Sequence, residues 1–207
     1  MVPESGRRID DRAQPTSRNQ AARRWDERYT AEREAWLERK PRQLLLEYAH
    51  LLPKGGLALD AASGVSANGL FLARIGLQVI ALDISGIALR MAVERARQEK
   101  LPFEAAVIDL SDPWLPPAYF DVIVNFRFLE RGTFSVYRAS LKPGSLLFFE
   151  SFLKLDLRLP NPEYYLDPGE LLSAFQDYEI LHWEESKVPV SEHQPPRGTA
   201  RLVARKP

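Results

Sequence analysis

Two carboxylates, Asp60 and Asp83, each follow a short apolar run. The first run is Leu57 to Leu59 and the second is Val79 to Leu82. The residues between Asp60 and the second run begin with a small, turn-prone segment and continue with a helical pattern. This order predicts a strand, a loop, a helix and a strand. A right-handed crossover would place both carboxylates on the same edge of a parallel sheet, where α/β proteins bind ligands.

The residues expected at this edge suit a ligand that contains a ribose. Asp83 follows the loop at about the spacing, roughly 20 residues, at which an acidic side chain accepts hydrogen bonds from ribose hydroxyls. The dinucleotide fingerprint G-x-G-x-x-G is absent, because Ala62, Gly64 and Ala67 supply only one of its glycines. Asp60 would repel a pyrophosphate, but it suits the ammonium and sulfonium charges of S-adenosylmethionine. Alternatively, the loop is an ordinary turn and Asp60 caps the following helix.

The composition indicates a soluble globular protein. Lys plus Arg and Asp plus Glu number 28 each, which gives no electrostatic case for nucleic acid or an anionic membrane surface. The chain has no cysteine, which excludes disulfides, a thiol nucleophile and a Cys-ligated metal, and we expect no metal site. We also find neither a signal-peptide core nor an apolar run approaching the ~18 residues of a membrane span, so we expect a cytoplasmic protein.

The rest of the sequence predicts one α/β domain at residues 21–207, preceded by a disordered polar tail at residues 1–20. Residues 120–126 are almost continuously apolar, as in a strand that is covered on both faces. The last two strands should form an antiparallel hairpin at the edge of the sheet. The predicted helices are residues 21–40, 42–52, 86–98, 129–140 and 169–175, the further strands are residues 103–108, 120–126, 146–152, 178–184 and 200–203, and a turn is predicted at residues 142–145.

Several stretches together resemble a class I, Rossmann-like S-adenosylmethionine-dependent methyltransferase, and more closely the tellurite-resistance-type branch of small bacterial methyltransferases. They include WDERY (Trp25 to Tyr29), LDAASGVSANGLFLA (Leu59 to Ala73), VIALDIS (Val79 to Ser85) and FDVIVNFRFLER (Phe120 to Arg131). With further matches they cover nearly all of the chain after residue 20. The resemblance implies a doubly wound, seven-stranded, mostly parallel sheet with one antiparallel strand and helices on both faces.

The resemblance also implies S-adenosylmethionine as cofactor and S-adenosylhomocysteine as product. Asp83 would bind the ribose hydroxyls, and Asp109 would accept from the adenine amino group or, alternatively, cap a turn. Tyr29 would cover the methionine end together with Arg28, although a tyrosine at this place is also a common core residue. The full expected cofactor set is Arg28, Tyr29, Asp60, Ala61, Ala62, Gly64, Asn68, Asp83, Ile84, Asp109, Leu110, Asn125 and Phe126, with Asn125 and Phe126 under the transferable methyl group.

The glycine loop departs from the pattern A-x-G-x-G-R-N that is usual in this family. Ser66 replaces the last glycine and Ala67 the arginine, while Asn68 is retained. If the loop requires a positive φ at Ser66, this change costs roughly 1 kcal/mol or more. We therefore expect the substitution to affect cofactor affinity rather than the fold.

The acceptor is less constrained than the cofactor. Transfer of a methyl group from a sulfonium mainly requires alignment of the reacting atoms, and a general base is optional. Candidate catalytic residues are Arg127, Arg131 and His193; alternatively, the arginines form ion pairs and the histidine is solvated. Glu150 either takes part or braces a loop.

The function expected from these features is methylation of a small molecule, such as the metalloid oxyanions tellurite and selenite, or a thiol. We expect no nucleic-acid or membrane partner and a monomer or homodimer. The alternatives are a protein that binds S-adenosylmethionine or S-adenosylhomocysteine without turnover and, disfavoured by Asp60 and the missing glycines, a nucleotide-dependent oxidoreductase.

Overall fold

A computed structural model describes residues 17–155, 161–188 and 197–207. These residues form a seven-stranded sheet with the strand order β3-β2-β1-β4-β5-β7-β6. Strand β7 pairs antiparallel with both β5 and β6, while the other pairings are parallel, so the predicted mostly parallel sheet with one antiparallel strand is confirmed. The strands are β1 (Leu57–Ala61), β2 (Gln78–Asp83), β3 (Phe103–Val107), β4 (Phe120–Phe126), β5 (Leu141–Leu153), β6 (Glu179–Val188) and β7 (Arg197–Arg205).

Side-chain alternation along the strands builds a separate apolar core on each face of the sheet. In β4, Ile123 packs into one core and its neighbours Val122 and Val124 into the other. Both faces are covered by helices, which explains why β4 is apolar almost throughout. The helices are α1 (Ser17–Ala31), α2 (Arg33–Leu37), α3 (Gln43–Glu47), α4 (Ala67–Arg74), α5 (Gly86–Gln98), α6 (Gly132–Ser140) and α7 (Glu170–Ala174), and short 3₁₀ helices span Ala49–Leu51 and Pro162–Tyr164.

The helices divide between the two cores and a third, smaller cluster. Tyr137 of α6 and Leu171 of α7 pack on one face of the sheet, and α3 and α4 pack on the other. Helices α1 and α2 join α5 through a cluster that contains Tyr29, Trp36 and Met91. Val65, from the loop that follows β1, belongs to the same cluster, so the N-terminal helices lie beside this loop.

The N-terminal segment differs from the prediction of one helix at residues 21–40. Helix α1 already begins at Ser17, inside the predicted tail, whose residues 1–16 lie outside the described ranges. The helix is interrupted at Glu32, whose φ of −108° and ψ of 27° are not helical. This break changes the direction of the chain, and the ring of Trp36 packs against that of Tyr29 in a tilted arrangement, with a centroid distance of 4.7 Å and an interplanar angle of 56°. The next predicted helix, at residues 42–52, is likewise divided into α3 and a 3₁₀ turn.

The turn predicted at residues 142–145 is instead an irregularity within β5. Leu141 pairs with Phe120 and Leu146 with Val122, so the intervening residues of β5 bulge out of the pairing. Gly144 adopts a φ of +77° there, and Lys142 reaches back to Asp121 with an Nζ–Oδ2 distance of 2.8 Å. The predicted edge hairpin is present as β6 and β7, both longer than expected.

No helix in the described part of the chain is both long enough and apolar enough to cross a membrane.

Candidate functional site

A cavity of about 930 Å³ lies at the carboxyl ends of the parallel strands. It occupies the point where the strand order reverses between β1 and β4, and its volume is near the upper end of the ~300 to 1,000 Å³ usual for small-molecule sites. The structure brings most of the predicted cofactor residues together in its wall. These are Tyr29, Asp60, Ala62, Gly64, Asn68, Asp83, Ile84, Asp109, Leu110 and Phe126.

Asp60 organises the loop that follows β1. Its carboxylate is 1% exposed, and Oδ2 accepts hydrogen bonds from Ser66 Oγ at 2.7 Å and from the backbone N–H of Gly69 at 2.9 Å. Gly69 lies in the first turn of α4, whose N-cap residue is Ser66, so Asp60 satisfies an N–H group at the start of this helix and lines the cavity as well. Burial raises the pKa of Asp60 to about 7, against the effect of these two hydrogen bonds. A cation in the cavity would favour the charged form of this carboxylate.

Asp83 connects the same loop to α5. Its Oδ2 accepts from the backbone N–H of Gly64 and its Oδ1 from that of Ser85, both at 2.8 Å. Burial raises the pKa of this carboxyl above its ordinary value. A carboxylate has about four acceptor positions, so Asp83 retains the capacity to accept from a ligand in the cavity that it lines.

The lack of a side chain at Gly64 leaves room for the hydroxyl group of Tyr29 over the loop. Gly64 has a φ of +55°, and a Cβ at this position would lie 2.5 Å from Tyr29 Oη. The Tyr29 side chain is 5% exposed and packs between Trp25 and Trp36, with centroid distances of 5.8 and 4.7 Å. Tyr29 is therefore a core residue and a wall residue at once, so the two predicted roles are compatible.

Asp26 links α1 by hydrogen bonds to the start of α5, a role that was not predicted from the sequence. Its Oδ1 accepts from Ser85 Oγ at 2.5 Å and from the backbone N–H of Ile87 at 3.2 Å. Ser85 in turn accepts from the N–H of Ala88 and caps α5. The only local signal was the serine between an apolar strand and a helix, which predicts a cap but not its partner on α1.

An apolar wall with a carboxylate at its margin forms the end of the cavity nearest β3. Ile84, Ile108 and Leu110 provide the apolar surface. Asp109 Oδ1 accepts from the backbone N–H of Ser111 at 3.0 Å, which is the turn cap considered as the alternative. This end of the cavity suits a flat, apolar ring with polar edges.

Three predicted cofactor residues lie behind the wall of the cavity rather than in it. The Arg28 side chain is half exposed, lies over the rings of Trp25 and Trp36, and approaches Glu32 at 3.6 Å. Ala61 points into the core of the sheet. Asn125 is buried, where Nδ2 donates to the Phe128 carbonyl at 2.8 Å and Oδ1 accepts from Tyr137 Oη at 3.1 Å. Asn125 thus holds the turn that follows β4.

Of the candidate catalytic residues, one lines the cavity, one lies outside its lining and one lies outside the described residues. Arg127 lines the cavity, with its Nε donating to Glu150 Oε1 at 3.0 Å. Arg131 lies outside the lining, where it pairs with Glu170 at 2.6 Å and donates to two backbone carbonyls, and so braces the segment before α7. His193 lies outside the described residues.

Ser66 does adopt the backbone conformation that glycine usually supplies in this loop. Its φ is +53°, but its side chain is fully buried and donates to Asp60 instead of entering the cavity. The hydrogen bond offsets part of the conformational cost. Asn68 also ties the loop to the N-terminal segment, because its Oδ1 accepts from the backbone N–H of Arg42 at 2.8 Å.

Comparisons with known proteins agree with this geometry. Residues 58–144 match the protein family described as a methyltransferase domain. A curated relative, hemagglutinin 1 of Eikenella corrodens, is 29% identical over 136 residues, which are 62% of this chain. The match spans only 45% of the length of that relative.

Solved structures share the fold at low sequence identity. TehB from Haemophilus influenzae has a TM-score of 0.72 and 18% identity, covering 88% of this chain and 67% of its own. The [4+2]-cyclase SpnF has a TM-score of 0.71 and 20% identity, covering 93% and 97%. A phosphoethanolamine N-methyltransferase from Haemonchus contortus, in complex with S-adenosyl-L-methionine, has a TM-score of 0.63 and 17% identity, covering 80% and 52%.

The domain match and the fold confirm the predicted resemblance. Residues 58–144 thus match a methyltransferase domain, and the described residues have the Rossmann-like fold of the class I S-adenosylmethionine-dependent methyltransferases.

Proposed function

We propose that this protein transfers a methyl group from S-adenosylmethionine to a small-molecule acceptor. The observation that carries the proposal is the Asp83 carboxylate, held by the backbone N–H groups of Gly64 and Ser85 at the edge of a cavity of about 930 Å³. A carboxylate fixed at this edge of the sheet can accept hydrogen bonds from the hydroxyls of a ribose.

The remaining wall fits the other parts of the cofactor. The apolar surface of Ile84 and Leu110, with Asp109 at its margin, suits an adenine. The loop at residues 61–64 is free of large side chains and lets a ligand approach its backbone. The carboxylates of Asp60 and Asp83 favour a ligand with positive charge, and phosphates would meet repulsion at this place.

When bound, the cofactor supplies an electrophilic methyl group on a positively charged sulfur. The task of the protein is to align the acceptor with that group and to exclude water. Tyr29 and Phe126 are large, buried residues of the cavity wall and serve the second purpose. An acceptor that is already anionic needs no general base, so positioning by Arg127 is sufficient. Tellurite, selenite and small thiols that react as thiolates are therefore the acceptors to test first.

A second candidate function is binding of the cofactor or its product without turnover. The strained, non-glycine conformation of Ser66 favours this alternative, since it departs from the usual methyltransferase loop. The similarity to SpnF supports it as well, because that protein is named as a [4+2]-cyclase.

Calorimetric titration with S-adenosylmethionine and, separately, S-adenosylhomocysteine tests the binding part of the proposal. Transfer of a labelled methyl group from S-adenosylmethionine to selenite, tellurite or a small thiol tests the chemistry. Saturable binding with product supports a methyltransferase. Binding without product from a broad set of small acceptors supports the second candidate, and absence of binding contradicts both.

A further inference from the structure

Three arginines line the cavity at the end farthest from the adenine-like wall. Arg39 and Arg42 come from the connection between α2 and α3, and Arg127 follows β4. The strand order places β4 on the opposite side of β1 from β2 and β3, so Arg127 and Asp109 lie toward different ends of the cavity. Arg39 and Arg42 lie within electrostatic reach of Arg127, which places them at the same end. The cavity therefore has a second end with its own chemistry.

Two of the guanidinium groups, those of Arg39 and Arg127, lie over aromatic rings. Arg39 lies over the ring of Trp36 at 3.8 Å, and Arg127 lies over the ring of Phe152 at 4.5 Å. The backbone of Arg42 is fixed by its hydrogen bond to Asn68. Such support reduces the conformational freedom that is lost when a ligand binds.

Positive charge at this end exceeds the negative charge. Glu150, 2% exposed, pairs with Arg127 at 3.0 Å and also with Arg201, at 3.2 Å. Within the described residues, no carboxylate lies within the 4.0 Å ion-pair distance of Arg39 or Arg42. Glu130 also lines the wall after β4, so two carboxylates, Glu150 and Glu130, are set against Arg39, Arg42, Arg127 and Arg201.

Electrostatic effects agree with this count. Burial lowers the pKa of Arg42 and the charge of Arg127 lowers it further, while Glu150 opposes them. Burial likewise lowers the pKa of Arg39, and the positive charge of Arg127 lowers it further. Like charges that face a cavity together are stabilised by an anion between them, and guanidinium groups match the two oxygens of a carboxylate or phosphate.

We propose that Arg39, Arg42 and Arg127 form an oxyanion-binding subsite that holds a carboxylate, phosphate or comparable oxyanion group of the methyl acceptor. This inference rests on the proposed function, because the subsite belongs to the same cavity. The methionine part of the cofactor is a poorer occupant, since its carboxylate comes with an ammonium group that three guanidinium groups repel. The subsite thus selects anionic acceptors over neutral or cationic ones.

The test is a calorimetric titration of the protein with inorganic phosphate, first alone and then saturated with S-adenosylhomocysteine. We expect saturable phosphate binding, weakened about tenfold or more by Arg42→Gln and by Arg39→Gln, because each removes charge-assisted hydrogen bonds. Arg127→Lys keeps a cation beside Glu150 and should show a smaller loss. Arg33→Gln is the matched control, because Arg33 is an exposed arginine of α2 that pairs with Glu94 outside the cavity.

The affinity of every variant for S-adenosylhomocysteine and for 5′-methylthioadenosine separates the possible occupants. Unchanged affinity for both, with phosphate binding lost, supports the subsite. Weaker binding of S-adenosylhomocysteine alone shows that the arginines hold the carboxylate of the cofactor, and overturns the inference. Equal phosphate binding by Arg42→Gln and wild type overturns it as well. If the wild type binds phosphate but not S-adenosylhomocysteine, the proposed function fails, and with it the assignment of the subsite to a methyl acceptor, although the three arginines still bind an oxyanion.

Discussion

Asp83 is the residue on which cofactor binding should depend most. Substitution Asp83→Asn removes the charge from hydrogen bonds that contribute about 1.5 to 3 kcal/mol each, so we expect affinity for S-adenosylhomocysteine to fall roughly 10- to 100-fold. Calorimetry measures this loss. Asp121→Asn is the control: Asp121 also accepts a backbone N–H, from Leu57 at 2.8 Å, but at the opposite end of the strands. Unchanged affinity in Asp83→Asn would show that the ribose binds elsewhere.

Asp60 should make the stability of the protein depend on pH. Its folded pKa, about 7, is above the ordinary value of 3.8, so the folded state keeps a proton that the unfolded chain loses between about pH 4 and pH 7. The free energy of unfolding therefore decreases as the pH rises through this window. Asn retains the shape without the charge, so Asp60→Asn should be more stable than wild type by on the order of 1–3 kcal/mol at pH 8, and this advantage should shrink toward pH 5.

Denaturant unfolding of both proteins at pH 5, 6.5 and 8 measures the effect of Asp60. A difference that is the same at all three values would show that Asp60 does not titrate in this range.

Residue-level prediction from the sequence succeeded where a side chain and its strand are adjacent in the chain. Asp60 and Asp83 fall at strand ends, and their positions followed from the apolar runs before them. Arg39 and Arg42 were not predicted as site residues, because they reach the cavity only through the break at Glu32 and the packing of α2 against α1. Arg28, which the resemblance places in the cofactor set, lies over the rings of Trp25 and Trp36, and these two rings line the cavity.

At the scale of the elements, the first turn of helix α4 has no room for a side chain at Gly69. A Cβ on Gly69 would lie 2.3 Å from Ser66 Oγ and 2.9 Å from Asp60 Oδ2. We expect Gly69→Ala to destabilise the protein by roughly 1–3 kcal/mol, although alanine favours helices by about 1 kcal/mol. Gly86→Ala at the start of α5 is the control, since its nearest contact would be 3.5 Å away, and it should be neutral or stabilising. Urea unfolding of the two variants tests this contrast; equal midpoints would contradict it.

A single substitution should weaken the docking of helix α1 against the start of α5. Asp26→Ala removes the acceptor for Ser85 Oγ and for the N–H of Ile87, which should cost about 1 kcal/mol in the docking of α1. Because Tyr29 is carried by α1, affinity for S-adenosylhomocysteine should fall as well. Hydrogen exchange of residues 17–31 measures the docking, with the exposed Glu27→Ala as control. Protection that is unchanged in Asp26→Ala would show that aromatic packing alone holds the helix.

The elements themselves were predictable where one local signal dominates. The limits of α5 at Gly86–Gln98 and β4 at Phe120–Phe126 agree with the predicted ones, since helical period, cap and apolar run all indicate the same structure. The irregularity of β5 was missed because Lys142, Pro143 and Gly144 have the composition of a turn. This segment is held at the sheet by backbone hydrogen bonds of Gly144 and Ser145 with Lys206, both at 2.9 Å, and by the contact of Lys142 with Asp121.

For the whole molecule, ligand binding at the strand ends should stabilise the entire domain, because both cores meet at the loops that form the site. At a free ligand concentration 100 times the Kd, the gain is about 2.7 kcal/mol, which corresponds to a rise in Tm of roughly 5–10 °C for a chain of this size. Thermal unfolding with S-adenosylhomocysteine measures the rise. NAD at the same concentration is the control, and a larger shift with NAD would favour the oxidoreductase alternative.

All the strand-end residues of the cavity come from the carboxyl side of the sheet, which leaves the amino side without a part in ligand binding. On that side, Gly55 lies in the turn before β1, and a Cβ added to it would meet no atom within 4 Å. The peptide bond between Lys54 and Gly55 is therefore a suitable insertion point for a fluorescent domain or an affinity tag. An enzyme labelled there keeps its ligand-binding edge free, which makes it suitable for immobilised screening of acceptors.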